Sequence, residues 1–384
     1  MSGVAGDPGL VAGALVGPVR VGAIAHGGHC VVRVDGRVAF VRGAVPGELV
    51  TVRVTQVRSK FARGEVAEVI EADPQRRPAP CPIAAECGGC DFQHLPAAAS
   101  RELKRQVVAE LLAHLAGHEF TGEVEGVDDG FGWRTRMRYH RDTSGALGMR
   151  AVRSGRVVAL PPEGCRIAAA PIAAPPVPPG SGEVVAVSAG SGVTIAERNG
   201  LPATVTEQVG GRRFEVAGDG FWQPHRLAPS VLTEAVVAGL APQPGESALD
   251  LFCGVGLFAG SLVDAGCRVW AVEGDRRAVE LARRNVPEAT FHAGDVAQTL
   301  RRLPSRADLV VLDPPRSGAG RTVMEQVISR APRAIAYVAC DPAALARDLA
   351  TARGLDYRID AVRAFDLFGT THHVECVAVL RPDR

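Results

Sequence analysis

The sequence predicts an α/β protein in which a small β-barrel and a middle domain precede a doubly wound C-terminal domain. Its 384 residues are too many for one ordinary core, so we expect two or three domains. Short runs that alternate apolar and polar residues fill positions 10–72, as in small closed β-modules. After about residue 220, four segments run from an apolar strand through a turn into a helix, which predicts a parallel sheet.

The composition is that of a soluble globular protein. Hydrophobic residues make up 46% of the chain and the net charge is +1, so charge alone gives no reason to expect a nucleic-acid partner. No apolar run is long enough to span a bilayer, and the apolar segment at 9–25 lacks the basic start of a signal peptide. We therefore expect a cytoplasmic monomer without a membrane partner. Nine cysteines in that compartment favour metal binding or catalysis over disulfides.

The first domain is predicted to span residues 8–73. Its strands read "VVRVDGRVAFVRG", "ELVTVRVTQV" and "RGEVAEVIE", and "VDGR" is a hairpin turn signal. The loop "RSKFARG" at 58–64 surrounds Phe61 with Arg58, Lys60 and Arg63. Basic residues around an aromatic ring suit phosphate and stacking contacts to RNA, although a solvated loop would have the same composition.

A second domain is predicted at 81–215, after a Pro-rich linker at 73–80. A helix is predicted at 97–117, and "WRTRMRYHRD" at 133–142 alternates basic and apolar residues with the period of a strand. One face of that strand would be strongly positive. We favour a strand that faces RNA, and an exposed edge strand is the alternative. The low-complexity stretch at 169–182 is predicted to be a surface excursion.

The third domain, at 216–384, carries candidate site residues where its strands end, which is where ligands bind such sheets. "DLFCGVG" places Gly254 and Gly256 at a strand-to-helix turn, and Glu273 ends the next strand, suitably placed for ribose hydroxyls. Such glycines occur in both dinucleotide and S-adenosylmethionine sites. Because the glycine spacing of a dinucleotide site is absent, a nucleoside cofactor without a pyrophosphate fits better than NAD.

Two further strand ends on the same edge carry candidate chemistry. Asp313 is followed by two prolines, which hold the backbone after the acid, although a turn or helix-capping aspartate would look the same. Cys340 ends the next strand, and Asp341 and Pro342 are typical of a helix start. A thiol at a helix N-terminus has a lowered pKa and is a candidate nucleophile, with a buried structural cysteine as the alternative.

Glu375 lies in the apolar run "THHVECVAVL", which predicts a carboxyl group in the middle of a buried strand. A lone buried carboxylate costs free energy unless it is paired or serves a function. Glu375 is therefore interpreted as part of a site, with a structural salt bridge as the alternative.

Cys81, Cys87 and Cys90 form a C-x5-C-x2-C cluster just after the linker. Three cysteines within ten residues are rarely a packing feature and indicate a metal site. A closed site needs a fourth thiolate, and the spacing alone does not separate zinc from an iron–sulfur cluster.

Together these motifs resemble the S-adenosylmethionine-dependent RNA uridine-5-methyltransferases, in the subgroup with an N-terminal TRAM domain and an iron–sulfur cluster. "DLFCGVG", "LDPPRSG", "VACDPAALARD" and "HVECV" match family motifs, in the family's order and over almost the whole chain. The resemblance implies an OB-like TRAM barrel, an iron–sulfur-binding α+β middle domain and a Rossmann-like class I methyltransferase domain. It also implies RNA as the substrate, with 23S rRNA preferred to a tRNA T-loop uridine.

The resemblance implies a role for each candidate residue. Cys340 would be the nucleophile that adds to C6 of the uracil, and Glu375 the base that removes the C5 proton. Asp313 would hold the imide edge of the uracil and border the cofactor. Cys165, in "PPEGCRI", would be the fourth ligand of a [4Fe–4S] cluster. The implied contacts of S-adenosyl-L-methionine are Gln223 in "FWQPH", Phe252 and Gly254 in "DLFCGVG", Glu273 at the ribose and Asp295 at the adenine.

Three positions depart from the family pattern. Asp341 stands where asparagine commonly follows the nucleophile, and its charge could raise the pKa of the thiol. His225 stands where asparagine is frequent, and Leu257 replaces a polar residue after the glycines. A cytosine-5 RNA methyltransferase is an alternative, but its second cysteine is absent from "DPPR". A non-catalytic RNA-binding protein is the other alternative, against which the complete set of candidate catalytic residues stands.

Overall fold

The N-terminal sheet consists of six strands whose alternating valines point into one core. The computed structural model describes residues 10–34, 36–177, 180, 182–197 and 200–383. The strands are β1 (Leu15–Arg20), β2 (Ile24–Ala25), β3 (His29–Val34), β4 (Arg37–Arg42), β5 (Leu49–Val57) and β6 (Phe61–Glu71). Their order is β1-β5-β6-β4-β3-β2, so that the sheet curls into a half-barrel. Val50, Val52 and Val54 are buried while the residues between them are not, as the period of a strand requires.

Helix α1 (Ala97–Leu111), which continues as a π-helical turn at Leu112–Ala116, joins this half-barrel to the rest of the molecule. On one face, Leu103 and Val107 pack into the core of the half-barrel. On another face, Val108 packs into the core of the C-terminal domain. Two apolar faces on one helix explain why its sequence is apolar over more than one stripe. No helix in the described part of the chain is long and apolar enough to cross a membrane.

The middle segment forms an antiparallel sheet and a hairpin. Its elements are β7 (Val124–Gly126), β8 (Arg136–Arg141), β9 (Leu147–Arg150), β10 (Val157–Ala159), α2 (Ala170–Ala173), β11 (Val184–Ala189), β12 (Gly192–Glu197), β13 (Thr204–Val209) and β14 (Arg212–Ala217). Strands β8 to β12 form a sheet of order β10-β9-β8-β11-β12, and β13 pairs with β14. Strand β7 instead completes the C-terminal sheet.

Two predictions about this segment are corrected. Strand β8 alternates as predicted, with Met137 and Tyr139 buried, but it lies between β9 and β11, so the alternative of an edge strand is wrong. The stretch at 169–182 is not only a surface excursion, because Ile172 in α2 is fully buried against the middle sheet. Positions 178, 179 and 181 of that stretch lie outside the described residues.

The C-terminal domain is the predicted doubly wound sheet. Its elements are α3 (Ala228–Leu240), β15 (Ser247–Leu251), α4 (Leu257–Asp264), β16 (Arg268–Glu273), α5 (Arg276–Asn285), β17 (Thr290–Ala293), α6 (Val296–Leu300), β18 (Leu309–Leu312), α7 (Arg321–Ile328), β19 (Ala334–Ala339), α8 (Pro342–Arg353), β20 (Tyr357–Asp366) and β21 (Glu375–Pro382). The strand order is β17-β16-β15-β18-β19-β21-β20-β7, and β21 runs antiparallel to both of its neighbours. Ala336 and Val338 enter the core on one face of the sheet, and Ile335 and Tyr337 the core on the other.

This topology gathers the candidate residues at one edge of the sheet. The parallel strands β15, β16, β18 and β19 all end there, and the antiparallel β21 begins there. From β15 the chain proceeds outward through β16 and β17, and then returns to β18 on the other side of β15. Such a reversal of strand order opens a crevice at the carboxyl ends of the strands, which is the usual ligand site of this fold.

Candidate active site

A tight turn after β15 forms one half of the candidate site. Phe252, Gly254 and Gly256 all have positive φ, at 64°, 53° and 93°. Glycine tolerates this conformation, whereas Phe252 adopts it at a cost, which is typical of a residue held by a functional turn. A Cβ built on Gly254 would meet no atom within 4 Å, so one side of the turn is open. A ligand can therefore approach the backbone closely here.

Glu273 and the glycine turn come together as the sequence predicted. Glu273 Oε2 accepts a hydrogen bond from the Gly254 amide at 2.9 Å, and Oε1 accepts one from the Asp275 amide at 2.8 Å. Asp295 lies at the same edge, after β17, but its side chain is exposed and accepts a hydrogen bond from the Gln298 amide at 2.9 Å, capping α6. The adenine contact of Asp295 stays a prediction.

Asp250, in the middle of "ALDLF", is a site residue that the sequence interpretation missed. It is fully buried, and its Oδ2 accepts a hydrogen bond from the Ala259 amide at 2.8 Å. Its Oδ1 has no hydrogen-bond partner, although it is equally buried. Burial raises the pKa of Asp250 to about 8. An acid inside an apolar strand was the available signal, and it is the same signal that drew attention to Glu375. A buried polar atom without a partner, in the same motif as the open glycine turn, fits a site that a ligand completes.

Gln223 and Asp313 meet across the crevice. Gln223 Nε2 donates a hydrogen bond to Asp313 Oδ2 over 3.4 Å, although 90 residues separate them in the sequence. Burial, and to a lesser extent the charge of Glu273, raises the pKa of Asp313 to about 7. The carboxyl group of Asp313 therefore stands at the border between the glycine turn and the second half of the site.

Cys340 and Glu375 form that second half. Ala339 pairs with Cys376 in the antiparallel ladder between β19 and β21, so the next rung sets Cys340 opposite Glu375. Glu375 is 3% exposed and is the first residue of β21, not a residue in the middle of the strand as predicted. Burial, followed by the charge of Asp313, raises the pKa of Glu375 well above its usual range, and Arg316 opposes this rise.

The prediction that the pKa of the Cys340 thiol is lowered is wrong for the protein without RNA or cofactor. Burial, and next the carboxyl group of Glu375, raises the pKa of Cys340 to about 12. Asp313 and Asp341 add to the rise, and Arg316 opposes it. Only the start of α8 is visible in the sequence around Cys340, whereas the fold adds acids from two other segments, β21 and the loop after β18. Asp341 does cap α8 as expected, because its Oδ1 accepts a hydrogen bond from the Ala344 amide at 2.8 Å.

Arg316 is a second missed residue. It follows Asp313 in "LDPPRSG", and its Nη2 lies 3.3 Å from His373 Nε2, in the loop that leads into β21. Its positive charge acts on both Cys340 and Glu375. A cation directly after the Asp-Pro-Pro motif was the sequence signal for this contribution.

His225, one of the departures, fixes the segment that carries Gln223. It is 1% exposed, and its ring stacks on Trp133. Its Nδ1 accepts a hydrogen bond from the Leu227 amide at 3.0 Å, so the proton lies on Nε2, which donates to Asp128 Oδ2 over 2.9 Å. The imidazole thus meets two hydrogen-bonding partners.

The four predicted metal ligands line one small cavity. Cys81, Cys87, Cys90 and Cys165 surround a volume of about 20 Å³ whose other walls include Ile83, Met149, Leu160 and Ile167. Burial raises the pKa of Cys87 and Cys165, and that of Cys90 to about 11. Within the described residues, no group of three or more His, Cys, Asp or Glu side chains is arranged so that it could hold a metal ion.

The loop of Cys81–Cys90 is tied to both neighbouring domains. The guanidinium of Arg42, from β4, donates hydrogen bonds to the carbonyls of Ala84, Ala85, Cys87 and Cys90 at 2.7–3.2 Å. Thr370 Oγ1 donates to Cys90 Sγ over 3.4 Å, and the Thr370 carbonyl accepts hydrogen bonds from the Asp91 and Phe92 amides. The cysteine loop therefore contacts the segment that leads into Glu375.

Comparison with protein families gives three matches along the chain. Residues 16–67 match the TRAM domain, residues 231–337 match the "Methyltransferase small domain", and residues 302–382 match "tRNA (Uracil-5-)-methyltransferase". The last match contains Asp313, Cys340 and Glu375.

Relatives and solved structures agree with these matches. An uncharacterized RNA methyltransferase of Streptomyces avermitilis is 41% identical over 95% of this chain and 98% of its own length. The 23S rRNA (uracil(1939)-C(5))-methyltransferase RlmD of Pseudomonas putida is 31% identical over 93% of this chain and 91% of its own. The crystal structure of Pyrococcus abyssi tRNA (uracil-54, C5)-methyltransferase in complex with S-adenosyl-L-homocysteine has the same fold, with a TM-score of 0.71, 22% identity, and coverage of 94% of this chain and 99% of that one. The chain belongs to the S-adenosylmethionine-dependent RNA (uracil-5-)-methyltransferases.

Proposed function

We propose that the protein methylates C5 of a uridine in RNA through a covalent adduct between Cys340 and C6 of the base. The observation that supports this proposal most is the register that sets Cys340 opposite Glu375, at the sheet edge that also bears the glycine turn. The cofactor fits this edge, because the turn is open at Gly254 and the buried Oδ1 of Asp250 lacks a partner. We assign Gln223, Phe252, Glu273 and Asp295 to the cofactor side, as the sequence predicted.

The chemistry requires a nucleophile because C5 of uracil is too weakly nucleophilic to take a methyl group unaided. The Cys340 thiolate adds to C6, the C5–C6 double bond opens, and C5 acquires enolate character. C5 would then take the activated methyl group from the cationic sulfur of S-adenosylmethionine, and S-adenosylhomocysteine would leave. Glu375 then removes the C5 proton, the double bond re-forms, and the Cys340 thiolate leaves.

The electrostatics of the site fit these steps. A carboxylate whose pKa is raised is a stronger base, and burial raises the pKa of Glu375. Asp313 can accept a hydrogen bond from the imide N–H of the uracil. That hydrogen bond would engage one of the carboxyl groups that raise the pKa of the Cys340 thiol. Arg316 is the cation that favours the thiolate form of Cys340.

The covalent step can be tested with RNA that contains 5-fluorouridine. Fluorine at C5 cannot be removed as a proton, so the adduct should accumulate and migrate as a stable RNA–protein species in a denaturing gel. Cys340→Ala should give no adduct, while Cys267→Ala, at another buried cysteine in the same domain, should behave as the wild type. Absence of an adduct with the wild type, or an undiminished one with Cys340→Ala, would overturn the mechanism.

We propose 23S rRNA as the substrate RNA. The support is the relative in Pseudomonas putida, which is aligned with 93% of the chain and carries that activity in its name. A tRNA uridine is the second candidate, because the matched family at 302–382 is described as acting on tRNA. The target must leave its stack to reach Cys340, which favours a loop. Mass spectrometry of nuclease-digested rRNA and tRNA from a knockout strain would show which RNA loses 5-methyluridine.

We further propose that Cys81, Cys87, Cys90 and Cys165 hold a [4Fe–4S] cluster. The support is that these four cysteines, which the family resemblance implies as the ligands, line one apolar cavity. Four thiols are also the ligands that such a cluster takes. Because the cysteine loop contacts Thr370, the cluster would stabilise the approach to Glu375 and need not transfer electrons.

The metal can be identified in protein purified without oxygen. We expect about four irons and four acid-labile sulfides per chain, with the broad visible absorbance of a cluster. Cys165→Ser should lower the iron content, whereas Cys30→Ser, at a buried cysteine of the half-barrel, should leave it unchanged. One zinc per chain and no iron would contradict the proposal.

A further inference from the structure

The turn between β2 and β3 of the half-barrel reaches the candidate active site from another domain. His26 Nε2 lies 3.3 Å from Asp341 Oδ2, next to Cys340. Two residues later, Gly28 packs so closely on His372 that an added Cβ would lie 2.6 Å from the His372 Cβ. His372 in turn stands three residues before Glu375. The turn of residues 26–29 therefore contacts the segments that carry the nucleophile and the base.

Asp341 has both carboxylate oxygens engaged. Oδ1 accepts a hydrogen bond from the Ala344 amide at 2.8 Å, and Oδ2 faces His26. Although burial acts to raise the pKa of Asp341, the hydrogen bond with His26 and the amides of α8 lower it overall. The carboxylate is therefore ionised near neutral pH, and its negative charge stands one residue from the thiol. Charges that close interact measurably even near a protein surface.

We propose that His26 is a positioning residue of the methylation reaction, which binds the Asp341 carboxylate and so limits the effect of that negative charge on Cys340. The proposal rests on the proposed nucleophilic role of Cys340. A donor on Oδ2 disperses the carboxylate charge, and a protonated imidazole offsets it. The contact also keeps Oδ2 from turning towards the thiol. Asparagine, which the resemblance leads us to expect at this position, would carry no charge and would need no such partner.

The site explains why a partner for Asp341 matters. Cys340 already faces Glu375 from β21 and Asp313 from the loop after β18, and both act against its ionisation. Arg316, on the same loop as Asp313, is the opposing cation from within the C-terminal domain. His26 is a second basic side chain at this edge, and it comes from the TRAM domain matched at 16–67. Nucleophile activation would thus depend on the docking of that domain.

The test is the rate at which iodoacetamide alkylates Cys340 in the full-length holoprotein, without RNA, followed by mass spectrometry of the peptide that contains it. A shift of about half a pKa unit changes the thiolate fraction about threefold. We therefore expect His26→Ala to slow alkylation about threefold at the same pH. Asp341→Asn should accelerate it, and adding His26→Ala to Asp341→Asn should change the rate by less than about 1.5-fold. Titration of Asp313 and Glu375 is common to all variants and cancels in the comparison.

A second pair of variants moves the turn and keeps the imidazole. Gly28→Ala has a positive φ of 75° and a clash with His372, whereas Gly36→Ala, in the next hairpin, has a φ of 77° and no atom within 4 Å of the added Cβ. Both variants strain the backbone alike. Only Gly28→Ala should slow the alkylation of Cys340, to about the rate of His26→Ala.

Two results would overturn the proposal. One is an equal effect of His26→Ala with aspartate or asparagine at 341, which would show that His26 does not act through Asp341. The other is an unchanged alkylation rate together with weaker RNA binding, which would make His26 an RNA contact only. Failure of the 5-fluorouridine adduct alone would count against the proposed function. Alkylation would still report on the His26–Asp341 pair in that case, because it needs neither RNA nor methyl transfer.

Discussion

The candidate site has a cofactor half, at the glycine turn and Glu273, and a catalytic half, at Cys340 and Glu375. The two halves differ in how far apart in the sequence their contacting residues lie. The cofactor half uses residues of successive strand-helix units, and its key contact, from the Gly254 amide to Glu273, spans 19 positions. The catalytic half is supported from afar: Thr370 contacts Cys90 over 280 positions, and Trp133 donates to the Gly369 carbonyl over 236. Local motifs suffice for the first half, whereas the second depends on the correct docking of two preceding domains.

The largest expected effect separates the two halves directly. If Glu375 removes the C5 proton, Glu375→Gln should lower turnover about 10³-fold, since a positioned base contributes about 10²–10⁴-fold. Methylated adduct should be trapped, and cofactor affinity should stay at the wild-type value. Single-turnover assays with labelled cofactor measure the first two quantities, and calorimetry measures the third. Wild-type turnover by this variant, or a loss of cofactor affinity together with the loss of turnover, would contradict the separation of the site into two halves.

The next expected effect is a loss of stability when Lys104, which supports the catalytic half from helix α1, is replaced. Lys104, on α1, donates to Asp366 Oδ1 over 2.6 Å and to the Phe368 carbonyl over 3.2 Å, and both charged groups are buried. Lys104→Met would leave Asp366 charged and unpaired, so the free energy of unfolding should fall by about 3 kcal/mol.

The chain offers a matched control for that change. Lys60 is the other lysine of the sequence, and it lies exposed in the loop between β5 and β6. Lys60→Met should change the free energy of unfolding by less than about 0.5 kcal/mol. Urea titrations of the three proteins give the comparison, and equal losses in both variants would refute the support assigned to Lys104.

A smaller effect is expected in the cofactor half. Gly254→Ala places a methyl group on the open side of the turn, so the Kd for S-adenosylhomocysteine should rise about tenfold, equivalent to about 1.4 kcal/mol. Gly245→Ala, with a φ of 87° and no atom near the added Cβ, carries a similar backbone strain away from the site. It should leave the Kd unchanged, and calorimetry of both variants checks this.

The last expected effect is a pH dependence of stability. The folded-state pKa values of Asp250 and Asp313, about 8 and about 7, lie above the ordinary value of 3.8. The folded state therefore holds protons that the unfolded state has released, and the stability this gives is lost as pH rises through 7 and 8. The free energy of unfolding of the cofactor-free protein should therefore fall between pH 6 and pH 8.5.

Asp250→Asn shows how much of that pH dependence is due to Asp250. The variant keeps an acceptor for the Ala259 amide but does not titrate. Its unfolding free energy should depend less steeply on pH than that of the wild type. A wild-type stability that rises over this range would contradict the assignment of raised pKa values.

The same division explains what could be predicted from the sequence. The strand ends at Gly254, Glu273, Asp313 and Cys340 were predictable, because short apolar runs and turn residues determine where a strand stops. Parallel strands then place those ends on one edge. The resemblance also assigned both Gln223 and Asp313 to the neighbourhood of the cofactor, although the hydrogen bond between them was not predicted.

The features that the sequence did not reveal arise from contacts between distant segments. The thiol pKa of Cys340 depends on burial and on Glu375, neither of which is visible in "YVACDP". The contact of His26 with Asp341 requires the half-barrel to dock on the C-terminal domain. Asp250 is the exception, because an acid inside an apolar strand is visible in the sequence, whereas its unpartnered oxygen is visible only in the fold.

Strand β7 has a consequence for how the protein is made. Residues Val124–Gly126 pair in parallel with β20, which is synthesised much later, and α1 pairs with Asp366 across 262 positions. Until the ribosome has released the last strands, the edge of β7 and one apolar face of α1 lack their partners. Contacts between segments so far apart in the sequence form slowly. Until they form, apolar surface and unpaired strand edges stay exposed and are prone to aggregation. Nascent chains that stop before β20 should therefore depend on chaperones and be rapidly degraded.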